Sequence, residues 1–251
     1  MVRTVNTPHM EATLQALVDV ARQTDSGIRD IILIGSAVYA PDMARDYDIV
    51  ITTISTEDKQ TLWNRLFDAL NDGAAGDKDV DVILYRASAD EIGDLARAIL
   101  AGRVLWGPGD ETIATAKQVF EERGGAAGSF RYAQAVIECA EDHIAQAQKE
   151  EDPKYKAICY KLAFKDLCDG ARVAAVTHMA MAGIIQLPVP HDQTFREMII
   201  TLKNQYYYEL KYPRDPEVAA REFAIWNNKA LAFVAAIRKH TLNQATTNNG
   251  L

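Results

Sequence analysis

The stretch Asp30-Ile31-Ile32-Leu33-Ile34-Gly35-Ser36, separated by AVYAPDMA from Arg45-Asp46-Tyr47-Asp48-Ile49-Val50-Ile51-Thr52, decides how this chain folds. Residues 30–34 form a short, β-branched apolar run stopped by a glycine, the pattern of a strand buried on both faces. Residues 47–52 and Val80-Asp81-Val82-Ile83-Leu84-Tyr85 read the same way. Between those two strands Leu62, Leu66 and Leu70 recur four apart on one helical face, and Asn71-Asp72-Gly73 ends that helix.

Working outward, Leu14, Leu17, Val18 and Ala21 give an amphipathic helix over 9–24, and a further helix is expected over 89–101. Gly107-Pro108-Gly109 forces a turn, with Asp110 as N-cap of a helix running to about residue 123. Gly124-Gly125-Ala126-Ala127-Gly128-Ser129 reads as a hinge or linker. Beyond it the pattern is helical over 129–149, 154–183, 192–210 and 216–240, punctuated by Pro153, Pro188, Pro190, Pro213 and Pro216. That is the outline of a helical bundle. Tyr155, Ile158, Cys159, Leu162 and Ala163 are expected on the inner stripe of its second helix, extended by Leu167, Ala171 and Ala174. Two domains are expected, over 1–123 and 124–251.

With 251 residues and 48% hydrophobic content the chain can bury a sizeable core. A net charge of −8 leaves no broad basic surface to neutralise phosphates, which disfavours nucleic acid as a partner. A small or locally bound substrate fits better. Cys139, Cys159 and Cys168 are odd in number and lack CxxC spacing, so neither a disulfide framework nor a zinc site is indicated. No signal core and no membrane-length apolar segment is present, so a cytoplasmic protein is expected.

The chemistry lies in the carboxylates. Residues two apart on a strand share a face, so Asp46 and Asp48 stand side by side, and like charges there repel. A hard dication such as Mg²⁺ relieves that repulsion, taking one or two carboxylates together with substrate phosphates. Asp81 on the third strand can serve a second ion; Asp79 points the same way, but Asp81 is preferred because apolar residues flank it. Gly35 lets the backbone approach a ligand closely, and Ser36 adds a hydroxyl donor at the opening of the next turn.

The pattern Ile34-Gly35-Ser36, nine residues, Asp46-Tyr47-Asp48 and a later Val80-Asp81-Val82 resembles the nucleotidyltransferases of the DNA polymerase β superfamily. The resemblance implies an α+β fold: a mixed-sheet nucleotidyltransferase domain followed by an all-α helical bundle domain. It further implies two Mg²⁺ ions and transfer of a nucleoside monophosphate from ATP or another NTP, with release of pyrophosphate. On that resemblance Gly35 and Ser36 hold the β and γ phosphates, Asp46 and Asp48 ligate both metals, and Asp81 ligates the catalytic metal or acts as base. Many members carry a basic residue soon after the Gly-Ser pair, whereas here Ala37-Val38-Tyr39 follows, and Arg45 is the candidate replacement.

The helical half resembles the bundles of kanamycin-type nucleotidyltransferases and the related HEPN domains, in helix number and order more than in motif. That likeness implies a small-molecule hydroxyl acceptor. Glu138 is then the candidate base for the acceptor hydroxyl, and Tyr206-Tyr207-Tyr208 a candidate stacking surface. Arg172 and His178 have the spacing of a HEPN ribonuclease pair, a coincidence expected about once by chance with this many arginines and histidines, and no ribonuclease activity is assigned. The alternatives are a regulatory, toxin–antitoxin-like module and a degenerate nucleotide-binding protein; a homodimer is compatible with each.

Overall fold

A computed structural model describes residues 8–86, 92–184, 186–188, 191–202 and 216–248. The chain divides into two compact units, Met1–Glu122 with Gly183–Gln186 and Arg123–Ala182 with Leu187–Leu251. The fold is α+β: a mixed four-stranded sheet with helices, then an all-α unit.

In the first unit the order is α1 (Pro8–Thr24), β1 (Ile28–Ile34), α2 (Ser36–Tyr39), β2 (Asp46–Thr53), α3 (Lys59–Asn71), β3 (Asp79–Arg86), α4 (Ala96–Leu100), β4 (Arg103–Trp106) and α5 (Asp110–Glu122). The sheet runs β3-β2-β1-β4, with β1 antiparallel to β2 and β4 and β2 parallel to β3. The parallel pair needs a crossover, which α3 supplies. Its N-cap Asp58 accepts a bond from the Thr61 amide at 2.9 Å.

Alternation along the strands divides the two faces. Ile31, Leu33, Tyr47, Ile49, Ile51, Val80, Val82 and Leu84 join Leu14, Leu17 and Val18 of α1 and Leu62, Leu66 and Leu70 of α3 in one core. The opposite face buries Ile32 and Val50, with α4 packed against β1 and α5 bonded to β1 and β2 through Thr112. Asp30 at the start of that face is 3% exposed, and its carboxyl accepts from the Gly109 amide at 2.8 Å and the Thr112 hydroxyl at 2.7 Å. The first turn of α5 is therefore capped from across the sheet. Asp110, expected as the N-cap, is the first helical residue instead.

The RVLW segment, to which the sequence pattern assigns no element ahead of the Gly107-Pro108-Gly109 turn, forms the edge strand β4. Arg103 ties it to α1 through two 2.7 Å bonds to Glu11. The segment 89–101 holds a 3₁₀ turn at Gly93–Leu95 and the short α4, and residues 87–91 lie outside the described residues.

The second unit comprises α6 (Gly125–Lys149), α7 (Pro153–Ala182), α8 (His191–Ile199) and α9 (Pro216–Asn248). The glycine-rich stretch is not a flexible linker. Gly124 takes the left-handed conformation at φ 90°, and α6 begins at the next residue. Gly128 lies inside that helix, where a Cβ would stand 2.5 Å from the Arg123 carbonyl oxygen. Gly170 serves α7 likewise: a Cβ there would meet Ile137 at 2.5 Å, so glycine lets α6 and α7 approach closely.

The buried stripe of α7 runs through Cys159, Tyr160, Ala163, Phe164, Leu167, Cys168, Ala171 and Ala174. Tyr155 and Ile158, expected inside, are 59% and 41% exposed, and Leu162 is half-buried. Contact with α6 and α9 together centres the buried arc on Phe164, a rotation that periodicity alone does not specify. All three cysteines are free thiols, with Cys139 exposed. Among the described residues no helix is long and apolar enough to cross a membrane.

His178 of α7 is fully buried. The Thr241 hydroxyl donates to the Ile237 carbonyl at 2.8 Å, so its oxygen is left to accept from His178 Nδ1 at 2.9 Å. The proton therefore sits on Nδ1, and Nε2 keeps a buried lone pair with no hydrogen-bond partner among the described residues. The rings of His240 and His191 stand nearby, His240 at 5.2 Å from His178 and His191 at 5.9 Å from His240. Burial, reinforced by these two histidines, pushes the His178 imidazole down to about 4.

Asp30→Ala strands the Gly109 amide and the Thr112 hydroxyl and should cost about 2–4 kcal/mol in thermal unfolding of the sheet unit, with Asp30→Asn costing less. His178 has a folded-state value below its unfolded value of about 6.5, so the unfolded chain binds more protons between the two. Stability is then complete above pH 6.5 and falls as pH drops towards 4, by roughly 3 kcal/mol through this residue. Denaturant titrations from pH 7 to pH 4 should show that loss reduced in His178→Leu.

Candidate active site

The site grows from the end of β1. Gly35 follows Ile34 with φ 73° and ψ −157°, a conformation open essentially to glycine alone. A Cβ at Gly35 would lie 2.0 Å from an oxygen of the Asp48 carboxyl, so the backbone here passes directly over that side chain. The chain then makes the single turn of α2, whose Ala37, Val38 and Tyr39 are buried, and re-enters the sheet at Asp46.

Register assembles the carboxylates. Ile34 is paired with Asp48 across the antiparallel pair, and Asp48 with Asp81 across the parallel one. Asp46 is paired with Asp79 one row away. Tyr47, Ile49, Val80 and Val82 face the α1/α3 core, so all four aspartates lie on the opposite face. Asp46 and Asp48 are half-buried, and Asp79 and Asp81 are exposed.

The position of β3 is held from its outer edge. The Asn71 side chain accepts from the Val80 amide at 2.8 Å and donates to the Val80 carbonyl at 3.1 Å, and the Trp63 indole donates to the Val82 carbonyl at 2.8 Å. Asp81 sits between the two residues so anchored.

The Ser36 hydroxyl oxygen is buried and has no hydrogen-bond partner among the described residues. It is a polar group lacking the partner that burial normally demands, next to the Gly35 crossing and the aspartates. This donor set suits Mg²⁺ with a triphosphate: carboxylate oxygens for a hard cation, a free hydroxyl for a phosphate oxygen. Among the described residues no three His, Cys, Asp or Glu side chains are gathered to hold a metal by themselves. A Mg²⁺ ion here would take phosphate oxygens as well as aspartates, as it does when bound by only one or two carboxylates.

The other expected site residues stand apart in character. Arg45 is exposed in the turn before β2. Glu138 is exposed on α6, in the second unit, and accepts a bond from Gln134 at 3.0 Å; its apolar neighbour Ile137 turns into the bundle core while Glu138 does not. Arg172 is exposed and paired with Asp169 at 3.1 Å, roughly 120° around the helix from buried His178, so α7 does not bring the two together. Tyr206-Tyr207-Tyr208 lie outside the described residues. The sequence names the Ser36 hydroxyl as a donor but carries no signal for its burial or for the Asn71 bracket, both of which depend on packing.

No protein-family model and no curated protein matches the chain. Solved toxin–antitoxin structures are similar to part of it. A chain from the complex of tri-AMPylated Shewanella oneidensis HEPN toxin with MNT antitoxin is 23% identical, covering 45% of this chain and 90% of that one, with a TM-score of 0.33. A chain from a toxin–antitoxin crystal structure with AMP-PNP is 25% identical over 44% of this chain and 92% of that one, with a TM-score of 0.33. A chain of the MntA-HepT toxin–antitoxin is 21% identical over 52% and 94%, with a TM-score of 0.32.

Proposed function

We propose that this chain is a Mg²⁺-dependent nucleotidyltransferase that transfers a nucleoside monophosphate, AMP from ATP, to the hydroxyl of a small-molecule acceptor. The observation that carries the reading is the row of Asp48 and Asp81 at adjacent register positions beneath Gly35, beside the unpartnered Ser36 hydroxyl. Asp46, Asp48 and Asp81 would between them hold Mg²⁺, one or two carboxylates to an ion with phosphate oxygens beside them, and the bound metal would neutralise the triphosphate and the charge developing on the attacking and leaving oxygens.

The chain's own residues do the rest. Gly35 presents backbone to the triphosphate without a side chain in the way, and Ser36 donates its hydroxyl proton to a phosphate oxygen. Arg45 supplies positive charge from the turn ahead of Asp46. The acceptor oxygen bonds to the α-phosphorus as the bond from that phosphorus to the bridging oxygen breaks, and pyrophosphate leaves. The hydroxyl proton passes to a carboxylate, for which Asp81, in register with Asp48, is the first candidate and Glu138 the second.

The test is pyrophosphate release and transfer of label from α-labelled ATP with Mg²⁺ and a panel of hydroxylated small molecules. Asp46→Asn and Asp48→Asn should each lower turnover by at least about 10²-fold without unfolding the protein. Gly35→Ala should abolish turnover and also lower the melting temperature, because its Cβ has no room beside Asp48. Unchanged turnover in Glu138→Gln assigns the proton to Asp81. Label appearing on protein instead of on a small molecule would move the proposal to a regulatory, toxin–antitoxin-like module. Nucleotide binding with no pyrophosphate from any acceptor would leave a nucleotide-binding protein.

A further inference from the structure

A groove of about 300 Å³ runs along the surface of the helical unit between α6 and α9. Phe130 and Val234, 1% and 6% exposed, form its floor, and Leu231 and Leu242 line it at either end. Leu242 is 41% exposed, a large apolar side chain left at the mouth of an apolar channel. From Leu231 to Leu242 the lining follows α9 for three turns, about 16 Å of helix. The groove is thus elongated and open to solvent along its length.

Its rim is cationic. Arg238 and Lys239 line it, and neither is paired with a carboxylate among the described residues. The neighbouring cations of the same unit are neutralised in place, Lys229 by Glu197 at 3.0 Å and Arg196 by Asp192 at 2.8 Å. Two unneutralised cations beside an apolar channel, in a chain of net charge −8, ask for an occupant that is apolar on one side and acidic at its edge.

We infer that this groove docks an acidic amphipathic helix of a protein partner. A helix lays one apolar stripe into such a channel at i, i+4, i+7 and i+11 and keeps its outer face in water, which matches an open channel three turns long. An acyl chain of similar length would leave half of its surface in water. A second copy related by a two-fold axis would set Arg238 and Lys239 against their own counterparts, at a cost in like-charge repulsion.

The full-length protein is titrated with a labelled synthetic helix about three turns long, leucines on its inner stripe and glutamates at both flanks, and with the same peptide carrying lysines for glutamates. The glutamate peptide should bind at least about tenfold more tightly than the lysine peptide. Arg238→Glu with Lys239→Glu should reverse that preference, and Leu242→Asp, at an exposed position, should weaken both peptides. Circular dichroism on each variant keeps loss of fold distinct from loss of binding. Equal affinity for the two peptides, no binding of the glutamate peptide, or a preference that the charge reversal leaves unreversed overturns the inference. So does wild-type dimerisation in sedimentation that Leu242→Asp abolishes, which would make a second copy the occupant. Saturable binding of dodecanoate without binding of the glutamate peptide would overturn it in favour of an acyl anion.

Discussion

Asn71 brackets the amide and carbonyl of Val80 from outside the sheet, as a neighbouring strand would, with bonds of 2.8 and 3.1 Å. Much of the candidate site depends on that bracket. A slip of one residue in a strand moves every side chain to the other face. In β3 such a slip would carry Asp79 and Asp81 into the α1/α3 core and push Val80 and Val82 into water. The bracket, the Trp63 bond to Val82 and the burial of Val80 all favour one register, and that register sets Asp81 against Asp48.

The same logic governs the other side of the site. Gly35 is the point where the chain leaves β1 with no space for a side chain, because the Asp48 carboxyl occupies it. The glycine thereby keeps Asp48 under a turn of backbone while the buried face of α2 pins that turn down. Ser36 inherits a buried position with an unspent hydrogen bond. Like charges in adjacent positions and an unsatisfied hydroxyl both work against stability, and they lie together around the end of β1.

In the helical unit the polar interior is arranged differently. His178 has its tautomer set by Thr241, whose own proton is committed to the Ile237 carbonyl, so the imidazole is held neutral with its lone pair buried. That is a pH-dependent element of stability, and the exposed Arg172 takes no part in it. The outer surface of α9 carries its unneutralised charge elsewhere, at Arg238 and Lys239 beside the α6 groove.

By itself the sequence determined the strands around Ile31, Ile49 and Val82, the α3 crossover with Leu62, Leu66 and Leu70, and the glycine stop at Gly35. Each of these is a local signal: a short apolar run, leucines four apart, or a glycine that stops the run. The alternation of Asp46 and Asp48 with Tyr47 was legible for the same reason. Tertiary structure alone decided which residues of α7 are inside, since Phe164 and not Ile158 meets the neighbouring helices. It alone turned the glycine-rich stretch into the first turn of α6, through the close passage of Gly128 by the Arg123 carbonyl. RVLW became a strand because β1 had a free edge to pair with, and Asp30 became a cap for α5 across 79 positions of sequence. Pairing, capping and close approach between distant segments depend on where the backbone returns in space, and no local periodicity carries that information.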